Sequence, residues 1–173
     1  MYDAIFKLVI FGDAGCGKTT LAQRFVTNTF TSDSKMTIGV NFEIKSLYVE
    51  DNHVKLQIWD FGGEERFRFL LPSYVKGAHG GIFMYDITNY SSLAHLDDWL
   101  TVLKESMLEF DRFPMIMVGG KIDLEHDREV MIEDAYKIAE SRNIHHVIES
   151  SSKTGENIEQ IFEVISTLML DNL

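Results

Sequence analysis

Gly12-Asp13-Ala14-Gly15-Cys16-Gly17-Lys18-Thr19 sets glycine, lysine and threonine at the spacing G-x-x-x-x-G-K-[ST], a pattern suited to cradling phosphate. Glycines let the chain turn so that several N–H groups point inward, and the start of a following helix adds partial positive charge. The residues read as the cradle are Asp13, Ala14, Gly15, Cys16, Gly17, Lys18, Thr19 and Thr20. Lys18 would reach the outer phosphates, and the Thr19 hydroxyl would bind magnesium. The bland alternative is a tight glycine-rich turn. The flanks favour the cradle, because Ile5 to Phe11 is apolar and β-favouring while Leu21 and Phe25 continue on one helical face.

Two further groups of residues carry potential chemistry. Asp60 follows Ile58-Trp59 and is either a contact to magnesium, through water, or a turn-forming carboxylate. Gly119-Gly120-Lys121-Ile122-Asp123 follows an apolar run, and Asp123 could accept two hydrogen bonds from guanine while the Lys121 stem covers the ring. A pocket of that kind would reject adenine by a factor on the order of 10⁴. The same stretch also reads as a solvated Lys/Asp loop, and Ser150-Ser151-Ser152-Lys153 also reads as a helix-capping cluster. The six histidines show no ligand spacing, the eight methionines read as core filler, and Cys16 reads as a packing residue.

Positioning these groups requires a sheet. Asn41 to Val49 alternates and turns at Asp51-Asn52 into Val54 to Trp59, which predicts a hairpin. Short apolar strands are expected over 81–87, 115–119 and 145–149, each with a helix-like stretch before the next. Leu96, Leu100, Leu103 and Met107 recur at helical spacing, as do Ile132, Ala135, Tyr136 and Ala139, and then Ile158, Ile161, Phe162, Ile165, Leu168 and Met169. Strands alternating with helices imply an α/β fold with a mostly parallel sheet and ligands at the carboxyl ends of the strands. Each polar motif falls just after a strand.

The totals bound the class. A chain of 173 residues suits one domain, 1–173, and buries about 70% of its unfolded surface without disulfides. Its single cysteine fits a reducing, cytoplasmic setting. The net charge of −11 argues against nucleic-acid binding and against adsorption to anionic membranes. No apolar run reaches the ~20 residues of a membrane span, and the expectation is a monomer.

Taken in order, the phosphate loop, a loop threonine at Thr37, Asp60-x-Gly-Gly-Glu, Lys121-x-Asp123 and Ser-Ser-Lys resemble the Ras-superfamily small GTPases over essentially the whole chain. Thr37-Ile38-Gly39-Val40-Asn41-Phe42, Lys55 to Asp60, Glu65-Arg66-Phe67-Arg68 and Tyr85-Asp86-Ile87-Thr88 resemble the Rab branch. The resemblance implies a P-loop GTPase fold: a six-stranded sheet, mostly parallel with one antiparallel edge strand, and helices on both faces. It implies a Mg²⁺-dependent switch that binds GTP and GDP, hydrolyses GTP, serves vesicle trafficking and contacts protein effectors and regulators.

By the same resemblance Phe30 packs across the guanine, Thr37 joins the magnesium ligands, and Thr37 and the Gly63 N–H sense the γ-phosphate. Ser151, Ser152 and Lys153 join the nucleotide site, the loop around Thr37 and the segment 61–74 act as switches, and Phe42, Trp59 and Tyr74 face effectors. Lys18, Gly63 and Glu64 take the catalytic positions. Three departures stand out. Gly120 replaces the family's asparagine, and losing such an amide costs about 1 to 3 kcal/mol. Glu64 replaces the glutamine that positions water, so intrinsic turnover is expected to be slow, with a barely hydrolysing GTP/GDP-binding scaffold as the alternative. The segment Leu170 to Leu173 carries no lipid-acceptor cysteine or basic stretch, so membrane recruitment would need a tail outside this sequence. A nucleotide kinase, which needs an arginine-rich lid, is the remaining alternative.

Overall fold

The computed structural model describes residues 1–31, 39–62 and 65–173, with the backbone alone described over 65–67. The chain runs β1 (Ala4–Phe11), α1 (Lys18–Thr27), β2 (Val40–Val49) and β3 (Asn52–Phe61). After a 3₁₀ turn over Glu65–Leu70 come α2 (Leu71–Tyr74), β4 (Gly80–Asp86), α3 (Tyr90–Ala94) and α4 (Leu96–Ser106). It ends with β5 (Met115–Gly120), a 3₁₀ turn over Ile122–Asp127, α5 (Ile132–Ser141), β6 (Val147–Glu149) and α6 (Ile158–Asp171).

Six strands form one sheet in the order β2-β3-β1-β4-β5-β6, parallel except for the β2–β3 hairpin at the edge. The sheet is sandwiched because the strand period of two sends alternate residues to opposite faces. Phe6, Leu8 and Ile10 of β1 pack with Leu21 and Phe25 of α1 and with Ile161, Phe162 and Ile165 of α6. Val9 and Phe11 pack on the other face with Leu96, Trp99, Leu100 and Leu103 of α4 and Ala135 and Ala139 of α5. Stacked rings of Phe25 and Phe162, with centroids 3.8 Å apart, fix α1 against α6 and so hold the phosphate loop at the end of β1. Such a pair contributes about 0.5–1.5 kcal/mol beyond its burial.

The elements depart from the sequence reading in detail. Tyr136, expected on the inner face of α5, is 50% exposed, because Ala135 and Ala139 bring that helix close enough to leave no room for a ring. Asp60 and Gly120 lie inside the last turns of β3 and β5 rather than beyond them, since pairing extends to Val40↔Phe61 and Asp86↔Gly120. No helix among the described residues is long and apolar enough to cross a membrane.

Candidate functional site

The phosphate loop joins β1 to α1, and two of its glycines are forced by geometry. Gly12 has φ +142°, and a Cβ there would lie 2.2 Å from the Met84 carbonyl oxygen of β4. Gly17 enters α1 with φ +94°, a region L side chains rarely adopt. This leaves Lys18 almost fully buried, its Nζ donating to the Asp13 carbonyl at 2.7 Å. Burial pulls the Lys18 pKa down, opposed by Cys16, Asp60 and Asp13. Cys16 is packed in the core, where burial pushes its thiol up to about 11.

β3, beside β1, delivers Asp60 to the same point. Its carboxylate accepts a hydrogen bond from the Thr19 hydroxyl, while its other oxygen, Oδ1, is buried with no hydrogen-bond partner among the described residues. Asp60 is 1% exposed, and burial raises its pKa from 3.8 to about 6 against the pull of Thr19 and Lys18. An orphaned buried carboxylate oxygen beside a hydroxyl is a donor set that fits a hard divalent cation completed by phosphate and water. Among the described residues no group of three or more His, Cys, Asp or Glu is clustered to hold a metal by itself. That donor set would hold magnesium together with a bound phosphate.

The Asp13 side chain turns away from the loop. It takes the Trp99 indole N–H at 3.0 Å and the His95 Nδ1 at 2.5 Å, and Arg68 lies 3.9 Å off while stacking over Trp99. Its contribution to the loop interior is its carbonyl.

Three further chain ends converge from the far side of the sheet. Lys121, in the left-handed conformation at φ 69°, donates to the Gly15 carbonyl at 2.7 Å and pairs with Asp86 at 2.8 Å. Asp86 also accepts from Thr88 N and Oγ1, so the end of β4 is fastened to the phosphate loop through Lys121. Ser151, fully buried, donates to Asp123 Oδ1 at 2.7 Å and accepts from Thr154 N. Main-chain bonds Ser150 N to Gly119 O and Ile122 N to Ser150 O set these two loops side by side, and Arg128 bridges Glu125 and Glu149 behind them.

Between the loops lies a cavity of about 240 Å³ lined by Gly15, Cys16, Gly17, Thr20, Phe30, Thr31, Met84, Lys121, Asp123, Leu124, Ser152 and Lys153. That volume suits one ring system, since sites enclosing a whole drug-sized ligand run to about 300–1,000 Å³. Lys18, Thr19 and Asp60 stand at its phosphate-loop end, outside the lining. Ser151, expected in the nucleotide site, stands behind Asp123, its hydroxyl buried and bonded to that carboxylate. Ala14 is exposed on the outer rim of the loop. Thr37, Gly63 and Glu64 lie outside the described residues.

On the β2–β3 edge the Phe42 and Trp59 rings are 4.5 Å apart and Trp59 and Tyr74 5.5 Å apart, a continuous aromatic strip with Phe42 42% exposed. Asp86 and Met84 carried no assigned role in the sequence reading. A carboxylate ending a strand two residues before Thr88 is a local turn signal and gave a clue to Asp86. Met84, read as filler, is a wall of the cavity, and nothing in an apolar strand marks it out.

A family model described as the Ras family matches residues 7–171. The chain is 38% identical to "Ras-related protein Rab-1" of Theileria annulata over 178 aligned positions, covering 99% of this chain and 77% of that protein. It is 36% identical to "Ras-related protein Rab-3D" of Mus musculus over 172 positions, covering 99% and 77%. Against "Ras-related protein RABA1f" of Arabidopsis thaliana the identity is 40% over 179 positions, covering 98% and 81%.

Proposed function

This chain belongs to the Ras family as a Rab-like GTP-binding GTPase, and from that premise we propose that it is a Mg²⁺-dependent switch that hydrolyses GTP slowly and signals through its loops to protein effectors. The observation that carries the reading is one crevice shared by the phosphate loop and the Lys121–Asp123 loop. The phosphate loop binds the di- or triphosphate through its backbone N–H groups. Lys18, buried and held 2.7 Å from the Asp13 carbonyl, is a pre-placed cation whose effect on transferring charge is large where water is excluded. Thr19, and Asp60 through water, would hold magnesium, which would supply charge neutralisation at the phosphates.

Asp123, oriented by Ser151, accepts the N1–H and exocyclic amine of guanine, and Phe30 and the Lys121 stem enclose the base. Thr37 and the Gly63 N–H sense the γ-phosphate, and Glu64 holds the attacking water. A carboxylate beside a triphosphate is repelled or takes up a proton, which is why the step is slow. The Phe42–Trp59–Tyr74 strip is the effector face.

Chromatography of nucleotide released from the denatured protein tests the base: GDP or GTP is expected, and bound adenine nucleotide would reject the assignment. Single-turnover hydrolysis then tests Glu64, since Glu64→Gln is expected to raise the rate and a flat result would remove Glu64 from the step. The scaffold reading gains support from the same residue and from Gly120. A wild-type rate equal to uncatalysed hydrolysis would favour it.

A further inference from the structure

Gly120 stands where the resemblance leads one to expect an amide, and the structure puts something else in that space. A Cβ built on Gly120 would lie 2.6 Å from Met84 Cε, 3.4 Å from the Cys16 carbonyl oxygen and 3.7 Å from the Tyr85 carbonyl oxygen. The same methyl is 3.7 Å from where a Cβ on Gly17 would be, and the Met84 carbonyl lies directly under Gly12. Two glycines of the phosphate loop and one at the end of β5 thus approach one methionine, Gly12 at its carbonyl and Gly17 and Gly120 at its methyl. Met84 is 2% exposed, belongs to the core cluster with Cys16 and Val118, and its exposed remainder lines the cavity.

We propose that the Met84 thioether is the positioning residue of the nucleotide site: it fills the gap beside Gly120 and couples positions 84 and 120, so that neither can change alone. This deepens the guanine-nucleotide reading and rests on it. The physics is volume exchange. Methionine is unbranched and flexible enough to plug an irregular gap, and a packed interior accepts volume-conserving swaps far better than added or removed atoms. A Cβ added at 120 stands at ordinary contact distance from two backbone carbonyls and overlaps only the Met84 methyl, which can move. Met84 lines the cavity, so a thioether displaced toward it takes up space the base needs. Shortening Met84 leaves a void between the phosphate loop and β5 instead.

The geometry also changes the chemistry of that wall. In place of an amide with two donors and an acceptor, the nucleotide meets a methyl, the Cys16 backbone and a bare α-carbon. Among the described residues, the side-chain tie between phosphate loop and base loops then runs through Lys121, which reaches Gly15 and Asp86.

The test is a double-mutant cycle on release of a fluorescent GDP in magnesium buffer, comparing wild type, Gly120→Asn, Met84→Val and the pair. Gly120→Asn alone is expected to release about tenfold faster than wild type and Met84→Val a few-fold faster. The pair should be slower than either, with a coupling of at least about tenfold. Additive effects, or Gly120→Asn alone slowing release, would overturn the proposal. Gly120→Ala, which adds only the Cβ, supplies the same comparison should the asparagine variant fold poorly: faster release, rescued by Met84→Val. Thermal melts of the four nucleotide-free proteins separate the two readings. If wild type binds no guanine nucleotide, the functional reading fails, while non-additive melting temperatures still report the packing of 84 against 120; additive ones overturn it.

Discussion

The two ends of the crevice are built on opposite principles. At the phosphate end, chemistry is concentrated: Lys18 and Thr19 are adjacent in sequence, Asp60 arrives from the neighbouring strand, and all three polar groups are wholly or largely withdrawn from water. At the base end it is dispersed: Lys121, Asp123 and Ser151 come from two loops, remain partly solvated except for Ser151, and rest against an apolar plug, Met84. Recognising a multiply charged anion needs strong fixed charge and many backbone donors, which one tight loop supplies. Recognising a ring needs shape from several sides, which one loop cannot.

The largest expected effect separates the ends by ligand. Asp123→Ala should lower the preference for GTP over ATP by about a thousandfold, because adenine no longer leaves a carboxylate of the base site unpaired; competition binding reads this directly, and an unchanged ratio would put base recognition elsewhere. Next is Lys18→Ala, which removes the buried cation. GDP affinity should fall about a hundredfold, roughly 3 kcal/mol, with the guanine-over-adenine ratio little altered. If the ratio collapsed as well, the two ends would not be separable.

Asp60 sharpens the contrast through pH. Its folded pKa of about 6 lies above the ordinary 3.8, so the folded state holds the proton more tightly than the unfolded one. In EDTA, its favourable contribution is therefore complete below pH ~4 and is lost as pH rises through about 6. Asp60→Asn should stabilise the nucleotide-free protein at pH 7 by roughly 2 to 3 kcal/mol in urea melts, with little gain at pH 4. No gain at pH 7 would mean that the carboxylate is not strained by burial. The smallest effect is at Cys16. With its thiol pushed up to about 11 and its side chain 1% exposed, it should resist iodoacetamide at pH 8 for hours and react only on unfolding. Rapid labelling of the native protein would place the phosphate loop in a more open form.

How far the sequence reached follows the same division. The apolar run of β1, the alternation in β2, the helix faces of α1, α4 and α6 and the glycine–lysine–threonine spacing were legible, because each is a property of neighbours along the chain. Tyr136 was misplaced because which residues of a helix face inward depends on how closely it packs, and small alanines decided that. That the Ser151 hydroxyl is spent on Asp123 was not legible, because a serine beside a lysine gives no sign of which way its hydroxyl turns.

By itself, the sequence determined the α/β order, the phosphate loop with Lys18 and Thr19, and the family to which the chain belongs, since turn geometry, hydrophobic period and motif spacing are local. Only the tertiary structure decided that Met84 stands where Gly120 lacks a side chain, that Lys121 spans Gly15 and Asp86, and that Asp60 keeps one oxygen unpartnered. Those facts come from strand register, Asp86 against Gly120 and Gly119 against Glu149, which brings residues thirty or more positions apart to one edge. Register is set by the packing of the whole sheet, and no local pattern records it.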